Sequence, residues 1–382
     1  MDEKIHYVLD LEESKMPNAE AELKMLLENP VIIYGAGRGA IRTIFDLKGL
    51  NANIIGLAVS NLSDDRTVGF DGYEVQTLDK YGNYKESAVV LIATSAQYHD
   101  EIKTNCLNLG FQKIILRSQE LLEFTSIASH KKLFQKHNLS LTEDVIMVGN
   151  GKYLNPYSDI FPSKFGIVNQ WADICSSEFG DLSLSVEGPY EHGNVKISPG
   201  DVVLDIGANV GYVSVYAASK GAEAYAFEPG IENQPMIIRH SELNGNKIHL
   251  EPFAVSDECG SAELWLNSNS IAAYSLDSYI GGGQSSVTVP KLTIDEFVRQ
   301  RDLKRVDYIH ANIMGFERQM LRGAQETLRK FAPKIAICAY QYQDDKKVLS
   351  DLILDANPKY KIEFLVGKLY AYNHIMEEYD YE

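Results

Sequence analysis

The sequence predicts an α/β protein of two domains, each built on a Rossmann-like parallel sheet. Residues 202–211 run from an apolar strand pattern into a turn with two glycines and then into a helix of small residues. Residues 30–40 repeat this arrangement, with a strand followed by the turn Gly35–Ala40. A chain of 382 residues is long enough to bury a separate core in each domain.

The first domain is predicted over residues 1–120. Strand patterns follow one another at 31–34, 54–59, 88–94 and 113–116, with helical patterns at 41–50 and 98–109. Strands that alternate with helices are typical of βαβ units. Residues 121–184 are less regular, and we expect a helical and irregular connection there before a second domain over 185–382.

The first glycine turn does not predict an NAD enzyme. The tip of its second strand carries Ser60 where an acid would hold the ribose, and Asp64 and Asp65 fall in the expected loop. The segment 30–116 resembles the sugar-nucleotide-binding domains that precede some bacterial sugar acetyltransferases. Amides around Gly37 would suit a phosphate. A nucleotide-sugar site and a structural or oligomer contact both remain open.

The second domain has the same alternation of strands and helices. Strands are expected at 202–206, 222–227, 248–257, 305–313 and 334–339, helices at 212–220, 232–243 and 317–330, a hairpin at 261–266, and closing strands at 361–372. Residues 267–286 are rich in Ser, Asn and Gly, and are expected to be a loop or a mobile lid.

Composition restricts the partners and the compartment. The net charge of −17 disfavours nucleic acid and anionic lipid as general partners. No apolar run approaches the roughly 20 residues of a membrane span, and the first residues lack a signal-peptide pattern. The four cysteines are scattered and predict no disulfide framework or metal pair. We therefore expect a reduced, cytoplasmic protein without a membrane span.

Two acids mark the expected ligand site of the second domain. Asp205 comes directly before the glycine turn, and Glu228 lies 21 residues after Gly207 (228 − 207). At about this spacing an acid at the tip of the second strand reaches the hydroxyl pair of a bound ribose. The residues alone leave open a βαβ unit that binds another nucleotide or none.

The pattern Asp-x-Gly-x-Asn-x-Gly followed by Phe-Glu-Pro resembles S-adenosylmethionine (SAM) methyltransferases. The resemblance implies that Asp205 holds the amino-acid end of the cofactor and Glu228 the ribose, while Phe253 and its neighbours pack around adenine. The expected cofactor-binding residues are Tyr190, Glu191, Asp205, Gly207, Asn209, Gly211, Glu228, Pro229, Ala254 and Val255.

The order of motifs over residues 185–345 is similar to the FkbM-type methyltransferase family. The matching segments are Gly188–Glu191, Asp205–Gly211, Phe227–Pro229, Ala254–Asp257, Thr293–Asp295 and Gly315–Ala324. The resemblance implies a class I, Rossmann-like SAM methyltransferase sheet in the C-terminal domain, preceded by a smaller Rossmann-like α/β domain. It also implies SAM-dependent O-methylation, often of sugars in bacterial glycans or natural products.

The fourth strand departs from that family. His310, Asn312 and Met314 stand where the family carries Lys, Asp and Glu, whereas Gly315 and Glu317 are kept. Positions 310 and 312 share one face of a strand, so both changes alter one wall of the acceptor site. Loss of the carboxylate at 312 removes a base and a hard-metal ligand, and we therefore expect no metal site.

The candidate catalytic residues are His310, Glu317 and Asn312, with His192 as a further candidate base. A lone strand histidine is also compatible with a structural role. The leading hypothesis is a SAM-dependent O-methyltransferase that acts on a sugar hydroxyl of a glycan or nucleotide-sugar precursor. The alternative is a SAM-fold protein with an altered acceptor site in a binding or regulatory role; a dehydrogenase that uses the first glycine turn is a weaker one.

Overall fold

The computed structural model of the protein describes residues 16–35, 38–61, 73–94, 96–141, 144–155, 170–182, 185, 187–266, 274–278, 285–342 and 344–373. The chain divides into two compact units. The first comprises residues 1–138 with 183–186, and the second comprises residues 139–182 with 187–382. The segment expected to connect the domains is therefore shared between the units, because its long helix at 119–137 belongs to the first unit.

The first unit is built on a parallel sheet of five strands in the order β3-β2-β1-β4-β5. Its elements are α1 (Pro17–Glu28), β1 (Val31–Tyr34), α2 (Arg38–Gly49), β2 (Ile54–Val59), β3 (Val75–Thr77), β4 (Val89–Ile92), α3 (His99–Asn108), β5 (Lys113–Leu116) and α4 (Gln119–His137). All residues of β1 and β4 are buried, which explains their unbroken apolar runs. Of the residues singled out here, Gly37, Asp64 and Asp65 lie outside the described residues.

The second unit is built on a sheet of seven strands in the order β11-β10-β9-β15-β16-β18-β17. The first five strands are parallel, and β18 is antiparallel to both of its neighbours. The sheet strands are β9 (Val202–Ile206), β10 (Glu223–Phe227), β11 (Ile248–Glu251), β15 (Tyr308–Ala311), β16 (Lys334–Cys338), β17 (Tyr360–Leu365) and β18 (Lys368–Asn373). This is the class I SAM methyltransferase sheet that the family resemblance implies.

Helices connect and cover these strands. They are α5 (Gln170–Phe179), α6 (Tyr212–Ser219), α7 (Gln234–Leu243), α8 (Ile294–Gln300), α9 (Glu317–Arg322), α10 (Gln325–Phe331) and α11 (Asp345–Ala356). The core between sheet and helices is apolar and includes Leu204, Ile309, Leu321, Ile337 and Ile353, all without solvent exposure. Within the described residues, no helix is both long and apolar enough to cross a membrane.

Two smaller sheets accompany the large one. In the first, β13 (Gly260–Leu266) pairs antiparallel with β14 (Ser285–Leu292), and β12 (Ala254–Val255) joins β14 in parallel. β13 pairs with β14 from Ser285 to Lys291, and Leu292 pairs with β12. The second comprises β6 (Ser140–Leu141), β7 (Val145–Val148) and β8 (Gly151–Leu154). Tyr212 and His240 hold it through hydrogen bonds of 2.9 and 2.8 Å to the backbone of Leu154.

The glycine turn after β9 has a left-handed backbone at Gly207, Asn209 and Gly211, with φ of 77°, 52° and 90°. A Cβ at position 207 would lie 2.4 Å from the carbonyl oxygen of Asn312. Glycine is therefore required there because the chain after β15 approaches closely, and not only for the approach of a ligand. This contact brings the ends of β9 and β15 together.

Replacement of Gly207 by alanine is expected to destabilise the protein by more than about 2 kcal/mol, because backbone strain and a backbone clash add. Gly245→Ala is the matched control: Gly245 has the same φ of 77° but open space around its Cβ position. It should cost only the roughly 1 kcal/mol of the strained conformation. Denaturant unfolding of both variants measures the difference, and equal losses would contradict the steric explanation.

Candidate active site

A pocket opens at the carboxyl ends of β9, β10 and β15, with an open volume of about 560 Å³. The chain order reverses between β9 and β15, and such reversal points are where open α/β sheets bind ligands. The lining residues are Ile206, Gly207, Asn209, Phe227, Glu228, Pro229, Phe253, Ala254, Val255, Leu264, Tyr274, Ser275, Leu276, Asn312, Ile313, Met314 and Phe316. Most of these side chains are apolar, so the few polar groups determine how a ligand is oriented.

Glu228 is the acid at the tip of β10, and it lines this pocket while only 6% exposed. Its Oε2 accepts a hydrogen bond of 2.8 Å from the backbone N–H of Asn209, and its Oε1 accepts one of 2.7 Å from Gly230. Burial raises the pKa of this carboxyl to about 7, although the two N–H donors oppose the shift. The acid therefore changes its charge near neutral pH.

Asn209 has two buried amide atoms, Oδ1 and Nδ2, and neither has a hydrogen-bond partner among the described residues. The residue lines the pocket and is 7% exposed. A buried polar group without a partner costs free energy, and a native protein usually supplies the partner with a ligand or water. The Asn209 amide therefore indicates that the pocket receives a ligand with both donor and acceptor groups.

Asp205 and His310 lie behind the pocket instead of lining it. They occupy matching positions on β9 and β15, and His310 Nδ1 is 3.0 Å from Asp205 Oδ1. The other oxygen of Asp205 accepts a 2.6 Å hydrogen bond from Ser214, and Asp205 has no exposed surface. His310 is 3% exposed and packs edge-on against Tyr190, with ring centroids 5.5 Å apart. The pair joins the two central strands to helix α6.

Glu317 also lies outside the pocket lining. Its carboxylate accepts the backbone N–H groups of Ile313 at 2.9 Å and Gly315 at 3.0 Å. Burial raises the pKa of Glu317 to about 7. The loop that it holds includes Met314, whose backbone is left-handed with φ of 51°. Glu317 therefore shapes the loop that carries the pocket residues Ile313 and Met314.

Asn312 does line the pocket, and its amide is held from behind. Its Nδ2 donates a 2.8 Å hydrogen bond to Glu187 Oε2, while Glu187 Oε1 accepts one of 2.9 Å from the Tyr340 hydroxyl. The Oδ1 atom of Asn312 is buried and has no hydrogen-bond partner in the part of the chain that the structure describes. The amide thus presents an acceptor oxygen, and Glu187 fixes its orientation because an ionised carboxylate can only accept.

The segment after Glu187 is held by its backbone. Buried donors reach three successive carbonyls: Lys368 Nζ donates to Gly188 at 2.6 Å, the Tyr370 hydroxyl to Pro189 at 2.6 Å, and the Tyr308 hydroxyl to Tyr190. We refer to these three contacts as the carbonyl clamp. They fix the chain directly after Glu187 and so position its carboxylate.

Tyr190, Glu191 and His192 are not part of the pocket lining. Tyr190 packs against His310, Glu191 Oε1 accepts the N–H of Ile197 at 2.7 Å, and His192 Nε2 is 3.2 Å from Glu363. Gly211 begins helix α6 and also stands outside the lining. Of the expected cofactor and catalytic residues, the pocket contains Gly207, Asn209, Glu228, Pro229, Ala254, Val255 and Asn312.

Sequence reasoning missed the wall that residues 274–276 contribute. Ser275 forms a backbone bridge with Trp265 at the end of β13, and its hydroxyl donates to the Met314 carbonyl at 2.8 Å. The hairpin pattern at 260–266 was the signal available in the sequence. The chain that follows the first strand of a hairpin has to return beside it, which brings the segment between the two strands close to the strand ends. The expected lid falls partly outside the described residues, which include only 274–278 and 285–286 of it.

Side chains that follow β16 contact segments around the pocket. Tyr340 contacts Glu187 in the structure, as described above. Tyr342 donates to Asp277 at 2.9 Å, and Arg318 pairs with Asp344 and Asp345. These contacts connect segment 274–278, which contributes to the pocket lining, with the start of helix α11. Over the part of the chain that the structure describes, no group of three or more His, Cys, Asp or Glu side chains could hold a metal ion.

Comparisons with known proteins find a family match within the second unit. Residues 205–381 match the family described as the methyltransferase FkbM domain. The solved structures similar to this chain include the methyltransferase FkbM from Methylobacillus flagellatus, with 16% identity over 96% of this chain and 99% of that chain, and a TM-score of 0.41. They also include a putative methyltransferase from Streptococcus mutans in complex with SAH, with 11% identity over 46% of this chain and 88% of that chain, and a TM-score of 0.28.

A phosphoethanolamine N-methyltransferase from Haemonchus contortus in complex with S-adenosyl-L-methionine is also similar, with 9% identity over 92% of this chain and 84% of that chain, and a TM-score of 0.26. No protein of curated function matches. The family match covers the glycine turn after β9, the acid Glu228 and all later strands of the seven-stranded sheet. Residues 205–381 thus match the methyltransferase FkbM domain, the family that the sequence motifs resemble.

Proposed function

We propose that SAM binds in the pocket at the ends of β9, β10 and β15. The observation that carries this assignment is the unpartnered amide of Asn209 beside the Glu228 carboxylate, both directed to one pocket. The ribose hydroxyls donate to Glu228, and Asn209 pairs with polar groups of the cofactor. Phe253, Ala254 and Val255 pack against adenine, and Pro229 and the backbone of Gly207 complete that wall.

The remaining expected residues act from behind the pocket. Asp205 and His310 keep β9 and β15 in register, and Glu317 fixes the loop at 313–315. They are positioning residues, because none of them lines the pocket. Asn312 touches the ligand directly. Tyr190, Glu191 and Gly211 support the turn and its surroundings without contact to SAM.

The reaction that we propose is transfer of the SAM methyl group to a hydroxyl oxygen of a sugar, in a glycan or a nucleotide-sugar precursor. The bond between sulfur and the methyl carbon breaks as the bond to oxygen forms, S-adenosylhomocysteine leaves, and the hydroxyl proton passes to water. SAM supplies a methyl group on a sulfonium, which is reactive enough for displacement by an aligned oxygen. The chain's contribution is then mainly alignment and exclusion of water by the apolar walls. Leu264, Tyr274 and Phe316 provide such a wall opposite the strand ends.

The same proposal includes the compartment, the substrate class and the role of the first unit. The protein works in the cytoplasm on a small-molecule or glycan substrate, and its net charge of −17 disfavours nucleic acid as a partner. The first unit binds a nucleotide sugar or forms a homo-oligomer contact, and does not use NAD for redox chemistry. Ser60 supports this last point, since its hydroxyl is 2.9 Å from that of Tyr34 and no acid stands at its position.

One observation favours a second candidate function. Neither His310 nor Glu317 lines the pocket, so the acceptor hydroxyl has neither of these expected bases beside it. A protein that binds SAM to sense or regulate would need no base. The two candidates differ in one measurable property, which is transfer of a labelled methyl group.

Methyl transfer from methyl-labelled SAM to a member of a nucleotide-sugar panel is expected, and a chelator should leave its rate unchanged. The physical reason is Asn312, because a neutral amide is a poor sole anchor for a divalent cation. Scintillation counting of the separated products measures both points. Tight SAM binding without transfer to any sugar would favour the regulatory candidate, and a chelator effect reversed by magnesium would contradict metal independence.

Affinity for S-adenosylhomocysteine (SAH) is expected to fall about ten-fold between about pH 8 and about pH 6. The Glu228 pKa of about 7 leaves roughly one-tenth of the carboxyl ionised at the lower pH, and the ionised form accepts the ribose hydroxyls. Glu228→Gln should weaken binding at high pH and remove the dependence. Calorimetry in buffers of different protonation enthalpy measures the affinity together with the accompanying proton release.

Glu317→Gln is the matched control for this prediction. Glu317 is equally buried, and its pKa is also raised to about 7, but it does not line the pocket. The pH dependence should therefore persist in this variant. If both variants lose the pH dependence of SAH affinity, this dependence arises from the stability of the pocket and not from the ribose contact.

A further inference from the structure

The amino-acid end of SAM requires a partner other than Asp205. Both oxygens of Asp205 are engaged, by Ser214 at 2.6 Å and by His310 at 3.0 Å, and the residue is not part of the pocket lining. The methionine part of SAM carries an ammonium group, which can only donate hydrogen bonds. The pocket must therefore offer an acceptor at the end away from the ribose.

Asn312 offers that acceptor. It follows β15, two strands away from β10, which carries Glu228 at its end. Two strand spacings are about 10 Å, and the two residues follow strands on opposite sides of β9. Asn312 lines the pocket, and its Oδ1 atom is buried without a hydrogen-bond partner among the described residues. A donor on the ligand would satisfy it.

Glu187 makes this oxygen more suitable for a cation. Its carboxylate accepts from Asn312 Nδ2 at 2.8 Å, and a negative charge behind the amide strengthens the negative end of the amide dipole at Oδ1. The Tyr340 hydroxyl and the carbonyl clamp hold Glu187 in place. The carboxylate that the family resemblance leads one to expect at position 312 is thus present one hydrogen bond away, at position 187.

We propose that Asn312, polarised and oriented by Glu187, binds the ammonium group at the amino-acid end of the cofactor. The assignment rests on the proposed function, because it takes SAM as the ligand of this pocket. Asn312 is a binding residue in this arrangement, and Glu187 is a positioning residue that acts through it. Together they select a cofactor that carries a hydrogen-bond-donating cation at this end.

The test compares SAH with 5′-methylthioadenosine, which has the same adenosine and sulfur but lacks the amino-acid end. Asn312→Leu should weaken SAH binding to the full-length protein ten-fold or more and leave methylthioadenosine binding within about two-fold. Glu187→Gln should weaken SAH several-fold with the same selectivity. Calorimetry measures the affinities, and thermal unfolding checks that each variant is folded.

The exchange variant Glu187→Gln/Asn312→Asp provides a rescue. It moves the carboxylate to the pocket side and keeps one donor and one acceptor between the two positions. SAH affinity should return to within about three-fold of the original protein, which a purely structural role of either residue would not produce. Glu191→Gln is the control, since this carboxylate of the same segment accepts the Ile197 N–H and lies outside the pocket lining.

The outcomes separate the two proposals. Equal weakening of SAH and methylthioadenosine by Asn312→Leu, or no weakening of either, would overturn the ammonium assignment. Failure of the exchange variant to restore SAH binding while it remains folded would overturn the role of Glu187. If the unaltered protein binds neither compound, the proposed SAM site itself is refuted. This binding is measured before any variant is compared.

Discussion

The Glu228 carboxylate is the interaction on which the pocket depends. Its two oxygens accept backbone N–H groups from two different turns, at Asn209 after β9 and at Gly230 after β10. Without this acid, two amides at the strand ends would have no acceptor, and the left-handed backbone at Asn209 would lose its support. The carboxylate is held by the protein on one side and open to the pocket on the other. This buried position desolvates the carboxylate, which costs free energy in the ionised form and therefore raises its pKa.

The changes in the fourth strand form a coherent set in the structure. His310 does not replace a pocket residue, since it pairs with Asp205 inside the sheet. Asn312 does face the pocket, and the negative charge absent there is supplied by Glu187 from the segment before β9. Met314 lines the pocket on a loop that Glu317 holds. The positions are thus linked by contacts that a comparison of motifs, taken one strand at a time, does not reveal.

The sequence predicted what depends on local pattern. Buried strands such as Val202–Ile206 and Lys334–Cys338 have apolar runs, the glycine turn marks the strand end, and the acid Glu228 at the tip of β10 lines the pocket. What it could not predict depends on contacts between distant segments. Nothing near Asp205 in the chain indicates that His310, 105 residues away, occupies one of its oxygens. The wall at 274–276 was hidden for the same reason, because backbone pairing with Trp265 places it.

The carbonyl clamp has a consequence for the order in which the protein becomes functional during synthesis. Lys368 and Tyr370 hold carbonyls that precede them by 180 and 181 residues, so this contact closes one of the longest loops in the chain. Strand β18, which carries both donors, also enters the sheet between β16 and β17, although it is the last strand along the chain that the structure describes. A nascent chain that already contains the glycine turn, Glu228 and Asn312 therefore still lacks the anchor for Glu187. Maturation of the site thus requires synthesis of β18, and a product truncated before this strand would carry the motifs without the finished pocket.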